Sequence, residues 1–199
     1  MPNPVIYYIR HGQTDWNAAG RYQGSQDIPL NGIGRAQAAH AGTVLKGLLA
    51  RDGRNASDLA YVSSPLGRAR STMEFVRTGL GLPPTAYALD DRLREIGFGH
   101  WEGFTLAQQQ TAHPDVFAAR EIDKWGLPPP GGESYASVQL RMRDWADSLT
   151  GDVVAVAHGG TARALMVAMG VDTPAGVSDL PIEQGAVYVF ADGGMEKVG

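Results

Sequence analysis

Cysteine is absent from this sequence of 199 residues. A chain without thiols cannot form disulfides, thiolate zinc sites or iron–sulfur clusters, and it cannot attack a substrate through a cysteine thiolate. Because disulfides are rare in reducing compartments, their absence agrees with a cytoplasmic location, which is the location we expect.

Positive charge is also scarce. The chain carries 17 Lys and Arg residues against 21 Asp and Glu residues, so it lacks the basic excess that draws proteins to nucleic acids. No apolar run approaches the ~18 residues of a membrane span, and the first residues do not resemble a signal peptide. We therefore expect neither nucleic acid nor membrane as a partner. Only Lys46, Lys124 and Lys197 are lysines, and the arginines that supply the remaining charge can hold phosphate bidentately.

Short apolar segments rich in β-forming residues alternate with helical patterns along the chain. The candidate strands are residues 5–9, 60–63, 86–89, 153–157 and 186–190. Apolar residues at helical spacing predict helices beginning near Asn31, Arg68, Tyr135 and Thr161. This alternation predicts an α/β fold, a three-layer α/β/α sandwich with a mostly parallel sheet and helices on both faces.

Residues 98–132 interrupt this alternation. The segment has little strand character, and Pro114 and the prolines at 128–130 punctuate it. We interpret it as a helical insertion that lies over the site as a lid or pocket wall. No linker-like boundary divides the chain, so we expect a single domain over residues 1–199.

Two of the strongest strand candidates end in a histidine that is followed by glycine. The first leads into Arg10, His11 and Gly12, and the fourth leads into His158 and two glycines. Ligands of α/β sheets bind at the carboxyl ends of the strands, so the two histidines could meet in one crevice. Either histidine alone is typical of a hydrogen-bonded structural residue, whereas the pair beside an arginine suits a phosphoryl group.

The segment around His11 resembles a known signature. It reads RHGQTDWN at 10–17 and is similar to the first motif of the histidine phosphatase superfamily, in its phosphoglycerate-mutase-like branch. Further motifs follow in that family's order: SSPLGRA at 63–69, LREIGFG at 93–99 with WEG at 101–103, GGES at 131–134 and VAHGG at 156–160. Five motifs in order are far more specific than one tripeptide.

The resemblance implies a role for each catalytic candidate. His11 would be the nucleophile that becomes phosphohistidine, with a backbone carbonyl holding its other ring nitrogen. Arg10, Arg68 and a protonated His158 would surround the phosphoryl oxygens and supply the charge that a metal supplies elsewhere. Glu95 would be the general acid, and Glu102 is the rival carboxylate.

The resemblance also implies how substrate is held. The candidate contacts are Thr14, Asn17, Gln23, Gly24 and the backbone N–H of Gly159. For the side chains among them, loop capping is an equally good explanation. The family uses no metal, and we expect no cofactor.

These residues favour a metal-independent phosphomonoester hydrolase that acts through phosphohistidine on a small phosphorylated metabolite. A cofactor-dependent phosphoglycerate mutase is the first alternative. It is disfavoured because His158 is followed by two glycines and because the insertion holds few basic residues, Arg120 and Lys124. A non-catalytic phosphate-binding module is the second alternative, and it would need neither His11 nor Glu95. The sequence leaves open which phosphomonoester is the substrate and whether the chain forms a homo-oligomer.

Overall fold

A computed structural model of the chain describes residues 4–199, and within that range a six-stranded mixed sheet forms the centre of the fold. In chain order the strands are β1 (Ile6–Arg10), β2 (Ala60–Ser63), β3 (Ala88–Leu89), β4 (Val153–Ala157), β5 (Val187–Ala191) and β6 (Gly194–Val198). Their order across the sheet is β3-β2-β4-β1-β5-β6. The first four in this order run parallel, and β5 and β6 are antiparallel to their neighbours.

Helices cover both faces of the sheet. They are α1 (Asp15–Ala18), α2 (Gly32–Arg51), α3 (Gly67–Gly79), α4 (Leu106–Ala112), α5 (Pro114–Ile122), α6 (Tyr135–Asp147), α7 (Gly159–Ala168) and α8 (Pro174–Val177). Short 3-10 turns lie at Ala56–Asp58, Asp91–Leu93 and Gly99–Trp101. Among the described residues, no helix is long and apolar enough to cross a membrane.

Alternate residues of the strands enter two separate cores. Tyr7 and Ile9 of β1 pack with α2 and α3, whereas Ile6 and Tyr8 pack with α6 and α7. All five residues of β4 are buried, as a strand covered on both faces requires. The predicted three-layer α/β/α arrangement is confirmed.

The sequence prediction of the strands missed β6. Its residues include Gly, Glu and Lys, and most of them are exposed, so the strand lacks an apolar alternation. The signal was in the turn before it, where Asp192 and Gly193 both have positive φ, 51° and 75°. This pair makes the tight turn of an antiparallel hairpin.

The segment at 98–132 is helical, as predicted. It contains a 3-10 turn, α4 and α5, and its residues Phe98, Leu106 and Arg120 line the cavity that also holds His11. The insertion therefore forms one wall of the site.

Candidate active site

The register of two parallel strands brings His11 and His158 together. Arg10, the last residue of β1, lies opposite Ala157, the last residue of β4. Each histidine follows immediately after its strand. The backbone N–H of His11 donates to the Ala157 carbonyl at 3.0 Å. The centroids of the two imidazole rings are 5.1 Å apart, so the expected meeting in one crevice occurs.

His11 is held as a neutral imidazole with one free nitrogen. Its side chain is buried, and Nδ1 lies 2.7 Å from the carbonyl oxygen of Gly12. A carbonyl can only accept, so Nδ1 carries the hydrogen and Nε2 keeps its lone pair. Burial lowers the pKa of His11 well below its ordinary value, and the charges of Arg68 and Arg10 lower it further. The ring therefore keeps an available lone pair on Nε2 at neutral pH.

Arg10 and Arg68 each keep one donor without a partner. Backbone carbonyls accept from the Nη atoms: Ile182 from Arg10, and Gln26 and Gly24 from Arg68 at 2.6 and 2.8 Å. The Nε atoms of both arginines are buried and have no hydrogen-bond partner within residues 4–199. Burial lowers the pKa of both guanidinium groups, and the negative charge of Glu95 opposes this.

His158 lies beside His11 and is held by Ser64. Its Nε2 lies 2.8 Å from Ser64 Oγ, which itself accepts from the N–H of Leu66 at 3.3 Å. The other ring nitrogen, Nδ1, is buried and has no hydrogen-bond partner within residues 4–199. Tyr8 fixes the backbone here, because its hydroxyl accepts from the His158 N–H at 3.0 Å.

The charges around His158 oppose the protonated form that the sequence analysis expects. Burial lowers the pKa of His158 well below its ordinary value, and Arg68, His11 and Arg10 lower it further. The sequence showed the neighbouring arginines but not the complete burial of the ring. Without a bound anion, His158 is therefore a neutral imidazole, and the permanent positive charge comes from the two arginines.

Glu95 and Glu102 occupy different environments. Glu95 lines the cavity, and its Oε1 accepts from the N–H groups of Ile96 and Gly160 at 2.9 and 3.0 Å. Glu102 does not line the cavity. Its carboxylate accepts from the Ser25 N–H at 2.9 Å and from the Phe98 N–H at 3.2 Å. Glu102 thus joins two loops, and of the two carboxylates only Glu95 lies at the cavity.

The predicted substrate contacts fall into two groups. The cavity lining includes Asn17, Gln23, Gly24 and Gly159. Thr14 does not line it, contrary to expectation: the residue is fully buried, and its Oγ1 accepts from the Asn17 N–H at 3.2 Å as the N-cap of α1. Thr14 therefore orients Asn17, and capping is its observed function.

The cavity has a volume of about 370 Å³ and includes residues that the sequence analysis missed. The missed polar side chains of the lining are those of Arg21, Tyr22, Tyr135, Arg163 and Gln184. The sequence held a signal for Arg163. In α7 this residue lies four positions after Gly159 and three after Gly160, and residues at these spacings share one face of a helix. Arg120 and Lys124 also line the cavity. The cavity therefore has more basic residues than Arg120 and Lys124, the two that the sequence analysis counted in the insertion.

A model of the histidine phosphatase superfamily (branch 1) matches residues 6–196 of this chain. The chain belongs to the histidine phosphatase superfamily. The assignment inferred from the five sequence motifs is confirmed.

Curated relatives of this histidine phosphatase include two activities. It is 39% identical over 180 residues to glucosyl-3-phosphoglycerate phosphatase of Mycobacterium tuberculosis, a match covering 82% of this chain and 74% of the relative. It is 30% identical over 197 residues to 2,3-bisphosphoglycerate-dependent phosphoglycerate mutase of Beijerinckia indica, covering 94% and 90%.

Solved structures agree with this assignment. The structure of a mycobacterial glucosyl-3-phosphoglycerate phosphatase in complex with VO3 matches the chain with a TM-score of 0.76 at 32% identity, covering 95% of this chain and 92% of the relative. Together these matches identify the chain as a phosphatase of the superfamily.

Proposed function

We propose that this histidine phosphatase hydrolyses the phosphomonoester of a small phosphorylated metabolite through a phosphohistidine at His11, without a metal ion. One observation carries the proposal. A buried neutral imidazole with a free Nε2 lies with two buried guanidinium donors, Arg10 Nε and Arg68 Nε, and with His158 Nδ1, and none of these three atoms has a hydrogen-bond partner within residues 4–199. A buried donor without a partner costs about 1–3 kcal/mol, so this group is suited to a ligand rich in acceptor oxygens.

The proposed first step transfers the phosphoryl group to His11. The Nε2 lone pair attacks phosphorus, the bond from phosphorus to the ester oxygen breaks, and the Glu95 carboxyl gives its proton to the departing oxygen. The donors of Arg10, Arg68 and His158 stabilise the negative charge on the three equatorial oxygens. A vanadium oxyanion has a similar array of oxygens, which agrees with the VO3 complex of the mycobacterial relative.

The proposed second step releases phosphate. The Glu95 carboxylate removes a proton from water as the water oxygen attacks phosphorus, and the bond between phosphorus and Nε2 breaks. The electron pair of that bond returns to His11, which is neutral again. Glu95 then holds the proton that the next cycle needs.

The nucleophile is tested with His11→Ala and p-nitrophenyl phosphate in the presence of EDTA. We expect the unmodified protein to keep its activity under EDTA and His11→Ala to lose at least about 10³-fold in kcat. His40→Ala is the matched control, because His40 is an exposed histidine on α2. Loss of activity with EDTA, or retention of activity by His11→Ala, would show that the mechanism is wrong.

The acid is tested with Glu95→Gln and a series of aryl phosphates. Good leaving groups depart without a proton, so the loss in kcat should be small for them and should rise to about 10²-fold or more for alkyl phosphates. Glu102→Gln provides the comparison, since its effect should not depend on the leaving group. An equal loss with every leaving group would remove Glu95 from the role of acid.

The mutase relative makes phosphoglycerate isomerisation the competing outcome. Water must reach phosphohistidine in a phosphatase, whereas a mutase returns the phosphoryl group to a bound acceptor. We expect phosphate release that does not depend on added 2,3-bisphosphoglycerate, and little interconversion of 2- and 3-phosphoglycerate. Isomerisation faster than phosphate release would favour the mutase.

A further inference from the structure

The GGES segment at 131–134 is one of the five motifs of the sequence, and no step of the proposed mechanism uses it. Its carboxylate, Glu133, pairs with Arg141 of α6 at 3.2 Å, and neither side chain lines the cavity. Both side chains instead contact the backbone of residues 92–97, the segment that carries Glu95. The motif therefore reaches the proposed acid from outside the cavity.

The chain around Glu95 has no regular structure of its own. Residues 94–98 lie between two 3-10 turns and belong to neither a helix nor a strand. The side chains of Leu93 and Ile96 are fully buried and anchor the segment on both sides of Glu95. Backbone N–H and carbonyl groups of such a segment need partners from other parts of the fold, and Glu133 and Arg141 supply several of them.

Glu133 and Gly97 are joined by two hydrogen bonds. The N–H of Glu133 donates to the Gly97 carbonyl at 2.8 Å, and the Gly97 N–H donates to Glu133 Oε2 at 2.8 Å. The preceding glycine of the motif allows this approach, because a Cβ added to Gly132 would lie 2.5 Å from the Gly97 oxygen. The backbone two residues after Glu95 is thus fixed to the GGES motif.

Arg141 holds the same segment from α6. Its Nη1 donates to the Arg92 carbonyl at 2.5 Å, and its Nη2 donates to the Glu95 carbonyl at 3.4 Å. Nη2 and Nε also donate to the two carboxylate oxygens of Glu133, at 3.2 and 3.4 Å. A planar guanidinium carries five N–H donors, so one side chain can hold two carbonyls and a carboxylate together.

These contacts determine where the Glu95 carboxyl lies. The pair holds the backbone at residues 92, 95 and 97, and the carboxyl of Glu95 meets the Gly160 N–H on the opposite wall, at 3.0 Å. A shift of about 1 Å in a reacting group can cost about 10²-fold in rate. A backbone free to move at Glu95 would therefore weaken proton transfer.

We propose that Glu133 and Arg141 are positioning residues that fix the backbone around Glu95, so that its carboxyl reaches the leaving oxygen. This inference rests on the proposed function, in which Glu95 is the acid. It gives the GGES motif a part in proton transfer without contact with substrate.

Leaving groups test the positioning role. Arg141→Met keeps the length of the side chain and removes its donors, and Glu133→Ala removes the acceptor for the Gly97 N–H. Each should lower kcat/KM about tenfold or more for alkyl phosphates and much less for p-nitrophenyl phosphate, since only the former need a proton on the leaving oxygen. The double variant should lose no more than the larger single loss, because the two side chains act as a unit.

Two controls remove the same side-chain types elsewhere. Arg143→Met changes an exposed arginine of α6, and Glu196→Ala breaks an exposed ion pair with Arg51 on β6. Neither should change kcat/KM with any leaving group. Thermal melting verifies that each variant is folded. A loss that is equal for all leaving groups in Arg141→Met and Glu133→Ala would indicate a general structural role and overturn the proposal.

A purely electrostatic effect on Glu95 predicts a different result. Removing the positive charge of Arg141 and removing the negative charge of Glu133 would shift the pH dependence of kcat/KM in opposite directions. Positioning predicts losses of the same sign in both variants. Glu133→Gln loses the charge but keeps an oxygen that can accept from the Gly97 N–H, so it should recover most of the loss of Glu133→Ala. Opposite shifts, or no recovery in Glu133→Gln, would contradict positioning.

Hydrogen exchange follows the Glu95 carboxyl without an assay of activity. Gly160 lies in the first turn of α7, where an N–H has no acceptor within the helix, and Glu95 Oε1 accepts from it instead. In Arg141→Met and Glu133→Ala this N–H should exchange at least about tenfold faster. The Ala162 N–H, which donates to the His158 carbonyl, should keep its rate. Equal acceleration at both amides would mean that α7 itself has loosened, which would contradict the proposal.

The two proposals fail in different ways. If Glu95→Gln shows the dependence on the leaving group and the variants of Glu133 and Arg141 do not, the positioning role is wrong and the proposed function stands. If the unmodified protein does not hydrolyse p-nitrophenyl phosphate, the proposed function is wrong, and exchange of the Gly160 N–H still tests whether the pair holds Glu95. An unchanged exchange rate in both variants would overturn the positioning role.

Discussion

The two histidines of the site remain uncharged because burial and two arginines penalise a further positive charge. Burial is the largest cause of the lowered pKa of both His11 and His158, and Arg68 is the second. The unfolded chain has no such penalty, so its histidines take up protons near the ordinary pKa of about 6.5. Between that value and the lowered pKa, the unfolded state binds more protons than the folded state.

The free energy of unfolding should therefore fall as pH decreases below about 6.5. Each histidine should contribute a loss of about 1 kcal/mol between about pH 7.5 and about pH 5.5. Urea titrations of the unmodified protein and of the double variant His11→Gln/His158→Gln measure this difference. The double variant should lose less stability over the interval, whereas His40→Gln should behave as the unmodified protein. Identical pH profiles for all three proteins would contradict the argument.

Motifs identify residues more reliably than they identify charge states. The sequence placed His11, Arg10, Arg68 and Glu95 at one site, and each of them lines the cavity. The protonation of His158 depends on burial and on the neighbouring charges, which a motif does not report. Arg163 was missed because the motif analysis stopped at the two glycines, although the helix that follows carries this residue back to the site.

At the level of elements, the start of α7 is fitted closely to Glu95. A Cβ added to Gly160 would lie 2.5 Å from Glu95 Oε1 and 2.5 Å from Ile96 Cγ2. The N–H of Gly160 also donates to Glu95. The absence of a side chain at this helix end thus allows the carboxylate to approach a backbone donor.

Gly160→Ala should displace the Glu95 carboxyl. We expect kcat to fall about tenfold or more with alkyl phosphates and less with p-nitrophenyl phosphate, because the displaced group is the proposed acid. Gly47→Ala is the matched control: Gly47 is exposed within α2, and a Cβ there has no neighbour within 4 Å. That variant should keep full activity and gain up to about 1 kcal/mol of stability. Equal kinetics for Gly160→Ala and the unmodified protein would show that the close contact has no catalytic effect.

Elements were predictable where apolar patterns were strong. The limits of β2 and β4 match the predicted 60–63 and 153–157, and α2 and α6 begin next to their capping residues Asn31 and Ser134. β3 is only two residues long, against four predicted, because it lies at the edge of the sheet and is exposed. A strand that is exposed to solvent at the edge of the sheet does not need apolar residues, so its sequence lacks the hydrophobic pattern that predicts a strand.

For the molecule as a whole, the charge around the cavity and the net charge of the chain have opposite signs. The chain has a net charge of −4, whereas the cavity is lined by six cationic side chains and one carboxylate. The net charge alone would repel an anionic substrate, and added salt would then accelerate association. A cationic cavity with low-dielectric walls focuses the field and predicts the opposite response.

Association should therefore weaken as ionic strength rises. We expect kcat/KM for a phosphomonoester to fall several-fold between about 0.02 and about 0.5 M salt. Arg21→Gln should make this dependence shallower, because Arg21 lines the cavity. Lys46→Gln causes the same change in net charge from an exposed position on α2 and should leave the dependence unaltered. A rate that rises with salt would mean that net charge dominates.

Glu102 connects the insertion to the loop that holds Arg68. Its carboxylate holds Phe98 on one side and Ser25 on the other, and the carbonyls that flank Ser25 accept from the guanidinium of Arg68. A chimaera that receives a foreign segment at 98–132 would therefore alter the aim of Arg68 together with the substrate range. Grafts that retain this glutamate and the length of chain around it should be the ones that exchange selectivity without losing turnover.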